Sequence, residues 1–411
     1  MNISLLLLIF SILLSPVYLW PSGLPQLSHV VALIPVASLC LRGAALKLSP
    51  SQHGLLFALY ALTVNIIVFV FHRDPKSLYS AAYYVFNWGV WCAVVAGAMS
   101  TSGDRFLRGV RLALWAGLLV QLLVIVTGVW SKFKEQRPTG TFNDPNQLSH
   151  WVVWAVAFLM AEAWLLRRRL TDGALALMLG GTLVFLSGSR SGTLGILVAL
   201  LAYALLVISS IRGERTMFRL YGAAVAAVVI TIIGLLWSDT LRAALAAYSH
   251  NAVERLLATD VTFELEARGY DRLYKFPQWI VTGSGEGAGW RWFMKCWYTA
   301  EIHSTPANLL FAYGIPGTIL FGLFWFLQWR SLPGVAIKLL ALAPFAYSIG
   351  TYSLRNWSVW IGMALFYGLS LRVRGGAVLE PPAAVPRRGL AKPARALRPG
   401  RPAAHASRES R

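Results

Sequence analysis

The chain is predicted to be all-α, a polytopic helix bundle in a membrane, and three observations predict it. Of its 411 residues, 57% are hydrophobic and 13% are charged, whereas soluble domains hold about 45–50% apolar and about 25% charged residues. The mean hydropathy is +0.58. The apolar residues are also gathered in long, nearly uncharged blocks, such as 174–186 and 193–208, where a soluble fold would spread them over short periodic segments. Together these exclude a soluble enzyme.

Blocks of roughly 17–25 apolar residues are what a helix needs to cross the hydrocarbon core, and about twelve are found. They fall near 3–20, 25–44, 54–71, 79–99, 107–130, 148–166, 173–187, 190–210, 217–237, 304–328, 334–353 and 356–372. The first lacks the basic n-region and the A-x-A-like cleavage site of a signal peptide, so it is expected to remain as a span.

The connections between blocks alternate in charge. One set carries Arg42 and Lys47, then Arg105, Arg108 and Arg111, then Arg167, Arg168 and Arg169, then Arg212, Arg215 and Arg219, then Arg330 and the C-terminal tail. Basic connections of this kind face the cytoplasm, and Arg73, Lys76 and Arg355 on the opposite set are fewer. An even number of spans leaves both termini in the cytoplasm and turns the connections 131–147 and 238–302 outward. The net charge of +20 therefore records orientation, and nucleic acid is not an expected partner.

A membrane domain over 1–372 is followed by a tail, 373–411, with nine Lys/Arg, two Glu and six of the nineteen prolines. With almost no large apolar residue the tail cannot bury enough surface to fold alone, and it is read as a disordered cytoplasmic extension that could also touch anionic lipid. Cys40 and Cys92 lie inside apolar blocks and Cys296 has no evident partner, so neither a disulfide framework nor a zinc site is expected.

Four segments could carry chemistry. The connection 131–147 reads SKFKEQRPTGTFNDPNQ. Asn143, Asp144 and Asn146 around Pro145 suit a tight turn and a helix N-cap, while Lys132, Lys134 and Arg137 make a basic cluster that outward connections normally avoid unless an anion is bound there. Next, Gly188-Ser189-Arg190-Ser191-Gly192 joins two apolar blocks with hardly any loop. An arginine there either snorkels from a tight turn or faces a wet cavity, and the glycines leave backbone N–H groups accessible to a phosphate.

The segment 238–302 is too polar to span and too apolar for a mere linker, and reads as a lid on the membrane face with amphipathic helices around 253–257 and 273–276. Arg268 and Arg272 stand four apart, on one face if the stretch is helical, and could bind phosphate oxygens bidentately or join Glu264, Glu266 or Asp271 in a salt-bridge network. Gly283-Ser284-Gly285-Glu286-Gly287 is read as a flexible turn, because a dinucleotide site would also need a preceding strand and a following helix. Finally, His303 precedes a block containing Gly314, Pro316 and Gly317, where it either caps a helix or exchanges a proton near neutral pH. No Asp-x-Asp, His-x-x-x-His or helical Glu-x-x-His set occurs among the outward residues, so no metal and no other cofactor is expected.

Taken in order, a Thr-Gly-Thr-Phe-x-Asp-Pro-Asn turn, a Gly-Ser-Arg-Ser-Gly junction, a large connection with arginines, a Gly-x-Gly-x-Gly run and a His before a Gly-x-x-Gly helix resemble the bacterial O-antigen ligase and polymerase superfamily. The likeness runs from Arg137 to Gly317. It implies a metal-independent, inverting glycosyltransferase of the inner membrane that moves a glycan from undecaprenyl pyrophosphate to a periplasmic acceptor, lipid A-core for a ligase or a growing glycan for a polymerase.

Under that resemblance His303 activates the acceptor hydroxyl, and Arg190 with Arg268 or Arg272 binds the donor pyrophosphate. From the chemistry of their own segments, Arg137 is a further anion-binding candidate, and Asn143, Asp144, Asn146 and Ser189 are supporting candidates. Ligase is the first reading, because a single large outer connection followed by His fits it. Polymerase and protein O-oligosaccharyltransferase stay open, since the helix after His303 lacks an acidic residue before Gly314. Outside the enzymes, a lipid-linked-glycan flippase or transporter is the rival, although the two halves differ and charge gathers at one face.

Overall fold

The computed structural model describes residues 1–20, 25–40, 45–130, 133–134, 137–210, 265–296 and 298–375. The chain is almost wholly helical there. Among the described residues, seven helices are long and apolar enough to cross a membrane: α3 (Ser49–His72), α4 (Lys76–Met99), α5 (Gly103–Thr127), α6 (Pro145–Arg167), α7 (Leu170–Ser187), α8 (Arg190–Ser210) and α11 (Thr305–Arg330). Shorter apolar helices are α1 (Ile3–Leu13), α2 (Leu27–Cys40) and α12 (Gly334–Ile349), and α13 (Trp357–Arg374) closes the described chain. Two short helices, α9 (Asp271–Lys275) and α10 (Gln278–Thr282), precede α11, and a two-residue hairpin pairs 133–134 with 137–138.

Each expected block among the described residues meets a helix, and the ninth, 217–237, lies outside them, as do the expected amphipathic helix at 253–257 and the tail from 376 onward. The first block is corrected. Only 11 residues of 3–20 are helical, short of the roughly 17 a span requires. The rest turns back on the Thr-Gly-Thr-Phe-Asn segment: Tyr18 N–H donates to Thr141 O at 3.2 Å, the Thr141 hydroxyl to Pro16 O, and Asn143 Nδ2 to Trp20 O at 2.7 Å.

Helix ends follow local chemistry. Asp144 caps α6, its side chain accepting from Asn146 N–H at 2.8 Å with Pro145 in the first turn, where a missing N–H costs nothing. Gly188 ends α7 with φ +60°, the left-handed conformation that lets the chain reverse into α8 within two residues. Inside α11, Gly314 (φ +62°, ψ −170°) breaks the helix into two pieces.

Helix α6 is the axis of the bundle and is buried along nearly its whole length, packed on α7, α8, α12 and α13. Two ends can be told apart by their contacts. At one, Arg372 forks onto Asp104 at 2.8 and 2.9 Å, Arg111 and Arg167 flank the buried Glu162, and Arg374 reaches Ser331 O. At the other, Tyr347 donates to Asn146 O at 2.7 Å, Thr351 to the Ser191 hydroxyl at 3.2 Å, and Thr305 to Thr351 O at 3.1 Å.

Candidate functional site

At this second end a polar cavity of about 440 Å³ opens between the first turn of α6, the start of α2, the α12–α13 connection and the stretch before α11. His303 lines it with Asp144, Asn146, Tyr298, Glu301 and Arg355. His303 is held from its backbone, whose N–H donates to Arg268 O at 3.0 Å, and by Tyr298, whose ring meets the imidazole edge-on at 4.9 Å. Its Nδ1 is enclosed with no hydrogen-bond partner. Burial pushes the imidazole below its usual pKa and the Arg268 charge pushes it further, against Asp144 and Glu301. The neutral ring, the form able to accept a proton, is favoured by these surroundings.

Behind this cavity lies a buried carboxylate that the sequence reading did not single out. Glu286 Oε1 accepts from Tyr84 Oη at 2.7 Å, from Tyr352 Oη and from Asn308 Nδ2 at 3.3 Å, while the backbone N–H of Glu286 donates to Asn65 Oδ1 at 2.8 Å. Arg355 stands between two carboxylates, its Nε 3.5 Å from Glu286 Oε2 and its Nη2 2.8 Å from Glu301 Oε1. Burial works against the Arg355 charge, but Glu301 and Glu286 outweigh it and hold the guanidinium protonated; burial likewise raises the pKa of Glu286, with Arg355 opposing.

The Gly283–Gly287 turn is corrected accordingly. It is a buried joint and not a flexible turn, with Ser284 1% and Glu286 3% exposed. Its glycines admit neighbouring backbone: a Cβ on Gly283 would stand 2.6 Å from Ala312 O, and one on Gly287 2.6 Å from Ser77 N. The local signal was present, since a lone carboxylate among glycines in so apolar a chain needs a partner, but nothing local names Arg355.

The predicted arginines separate. Arg268 and Arg272 do not share a helical face, because Gly269 at φ +76° intervenes and α9 begins only at Asp271. Half-buried Arg268 adjoins His303. Arg272, 3% exposed, is drawn into the fold: it donates to Ala300 O and to Gly269 O and lies 5.6 Å over the Phe311 ring, and burial lowers its pKa.

Arg190 is exposed at the first turn of α8, not enclosed in a cavity. Its turn nevertheless meets the site, since Ser191 receives the Thr351 hydroxyl and Thr351 lines the cavity. Arg137 Nη1 donates to Gly188 O at 3.4 Å, which brings the hairpin arginine onto the same turn. Ser189 caps α8, accepting from Gly192 N–H at 3.2 Å. Asp144 and Asn146 line the cavity, whereas Asn143 is spent tying down Trp20 O. Among the described residues no three His, Cys, Asp or Glu side chains converge as metal ligands would. No protein-family model matches the chain, and no curated protein matches it in sequence.

Proposed function

We propose that the chain is an inner-membrane glycosyltransferase of the O-antigen ligase type, transferring a glycan from undecaprenyl pyrophosphate to lipid A-core with inversion and without a metal. The observation that carries it is the placement of His303, with Nδ1 sealed, in a polar cavity, beside Arg268 and opposite the end where the paired basic side chains gather. With that basic end in the cytoplasm, as the positive-inside rule has it, the cavity faces the periplasm. An outer connection over 238–302 belongs to the same reading.

In this mechanism the acceptor hydroxyl gives its proton to His303 Nε2 as its oxygen attacks the anomeric carbon. The bond from that carbon to the pyrophosphate oxygen breaks on the opposite face, which inverts the centre, and the leaving pyrophosphate takes the electron pair. Arg268 stabilises the charge that develops, with Arg137 and Arg190 on the Gly188 turn as further anion contacts. Arg272 holds the Ala300 and Gly269 carbonyls and so keeps the segment carrying Arg268 and His303 in place.

The test is an assay of purified protein with undecaprenyl-pyrophosphate-linked glycan and lipid A-core in excess chelator, with products separated on a gel. Transfer to lipid A-core is expected, and His303→Ala should reduce it by about 10²–10⁴-fold at equal protein level. Glycan lengthening on the carrier would make the protein a polymerase. No product from a verified donor would move the protein-acceptor and flippase readings ahead.

A further inference from the structure

A second polar cavity, of about 320 Å³, lies on the far side of the Glu286–Arg355–Glu301 cluster from His303. Glu301 lines both cavities, Arg355 only the first and Glu286 only the second. The cluster is thus a partition with one shared side chain. Glu301 is two positions before His303, so the two cavities adjoin through this side chain.

The walls of the second cavity select for a chemical class. Two tryptophans contribute: Trp290, 58% exposed and met edge-on by His72 at 5.5 Å, and Trp292, packed on Phe311 and under Arg291. Facing them are Asp74, Glu286 and Glu301, with Asn308, whose amide already bridges Glu286 and the Ile302 N–H. The cations are Lys76 and Arg272, and Arg272 is committed to backbone carbonyls. The three carboxylates are balanced by Lys76, Arg272 and the Arg355 of the partition, so the cavity offers no surplus positive charge to a phosphate or a uronate. Charged walls disfavour a lipid tail. Indole faces beside carboxylate and amide acceptors suit a ligand with C–H faces and hydroxyl edges, and the volume lies within the range of about 300–1,000 Å³ of small-molecule sites.

We propose that this second cavity is a subsite for an uncharged saccharide, with Trp290 as its stacking platform and Asp74 and Glu301 as hydroxyl acceptors. The proposal deepens the transferase reading, on which it rests for the sugar's delivery but not for the binding itself. It assigns the chain a preference for neutral over acidic sugar units at this position.

The experiment is saturation-transfer NMR on the full chain in lipid nanodiscs, free of sugar-headed detergent, titrated with lactose, chitobiose and digalacturonic acid. A saturable response to at least one neutral disaccharide is expected, with digalacturonate about tenfold weaker. Trp290→Ala, at an exposed position, should weaken the neutral response about tenfold without changing the melting temperature. Asp74→Asn combined with Glu301→Gln should raise the digalacturonate response. His303→Ala should leave sugar binding intact, so failure of transfer and failure of this subsite are separate results. The subsite is overturned by the absence of any saturable neutral response, by equal responses to neutral and acidic disaccharides, or by wild-type binding in Trp290→Ala.

Discussion

His303 shows how one side chain is tuned by its surroundings. A free histidine titrates near 6.5, but here burial and Arg268 both disfavour the imidazolium. The base form therefore persists below the ordinary value, and the acid limb of the kcat/KM–pH profile should lie below about pH 6.5. Arg268→Ala removes a like charge, so the pKa rises and that limb should move to higher pH; an unmoved limb would break the coupling. The two arginines also part on stability. Arg272→Ala leaves the Ala300 carbonyl without its donor and should cost about 1.5–3 kcal/mol, read as a lowered melting temperature, whereas Arg268→Ala, at a half-buried position, should cost less. Four residues of spacing, read from the sequence, could not distinguish them, because what separates their roles is the left-handed Gly269 between them.

At the scale of elements, the kink in α11 carries the most consequence. Gly314 occupies a backbone region essentially closed to other residues, and a Cβ there would stand 2.5 Å from Val281 O and 2.8 Å from Gly283 N. The break lets the end of α10 and the Gly283 turn press into the side of α11, with Ser284 N–H donating to Phe311 O at 2.9 Å and Gly285 N–H to Ala312 O at 2.7 Å. Gly314→Ala should destabilise the protein by about 1–3 kcal/mol and lower the melting temperature in detergent. Gly322→Ala, with nothing within 4 Å of the added Cβ, should not. The sequence marks Gly314 beside Pro316 and Gly317, but nothing in it shows that the chain breaks there. Helix starts were more legible: the Asn-Asp-Pro-Asn cap of α6 lies where its residues indicate, because capping is satisfied within three residues.

For the whole molecule, the two ends differ in chemistry, and the membrane orientation can be tested through them. In a background with Cys40, Cys92 and Cys296 replaced by alanine, Met294→Cys, at a position 88% exposed, should react with a membrane-impermeant thiol reagent in intact cells. Arg108→Cys, exposed near the Arg372–Asp104 pair, should react only after permeabilisation. The reverse pattern would turn the His303 cavity toward the cytoplasm and remove the proposed donor from reach.

Hydropathy and local turn chemistry by themselves determined that the described chain is almost wholly helical with helices long and apolar enough to cross a membrane, and where most of those helices lie, because apolar block length and helix capping are decided over a few to some twenty residues. The tertiary structure alone decided that Glu286 meets Tyr84 and Asn65 across more than two hundred residues, that Arg355 lies between two carboxylates, that Arg272 is buried against backbone carbonyls and Arg190 exposed, and that two cavities share Glu301. The physical reason is that a buried charge must be paired wherever the fold brings a partner, and no local pattern encodes which distant residue that is.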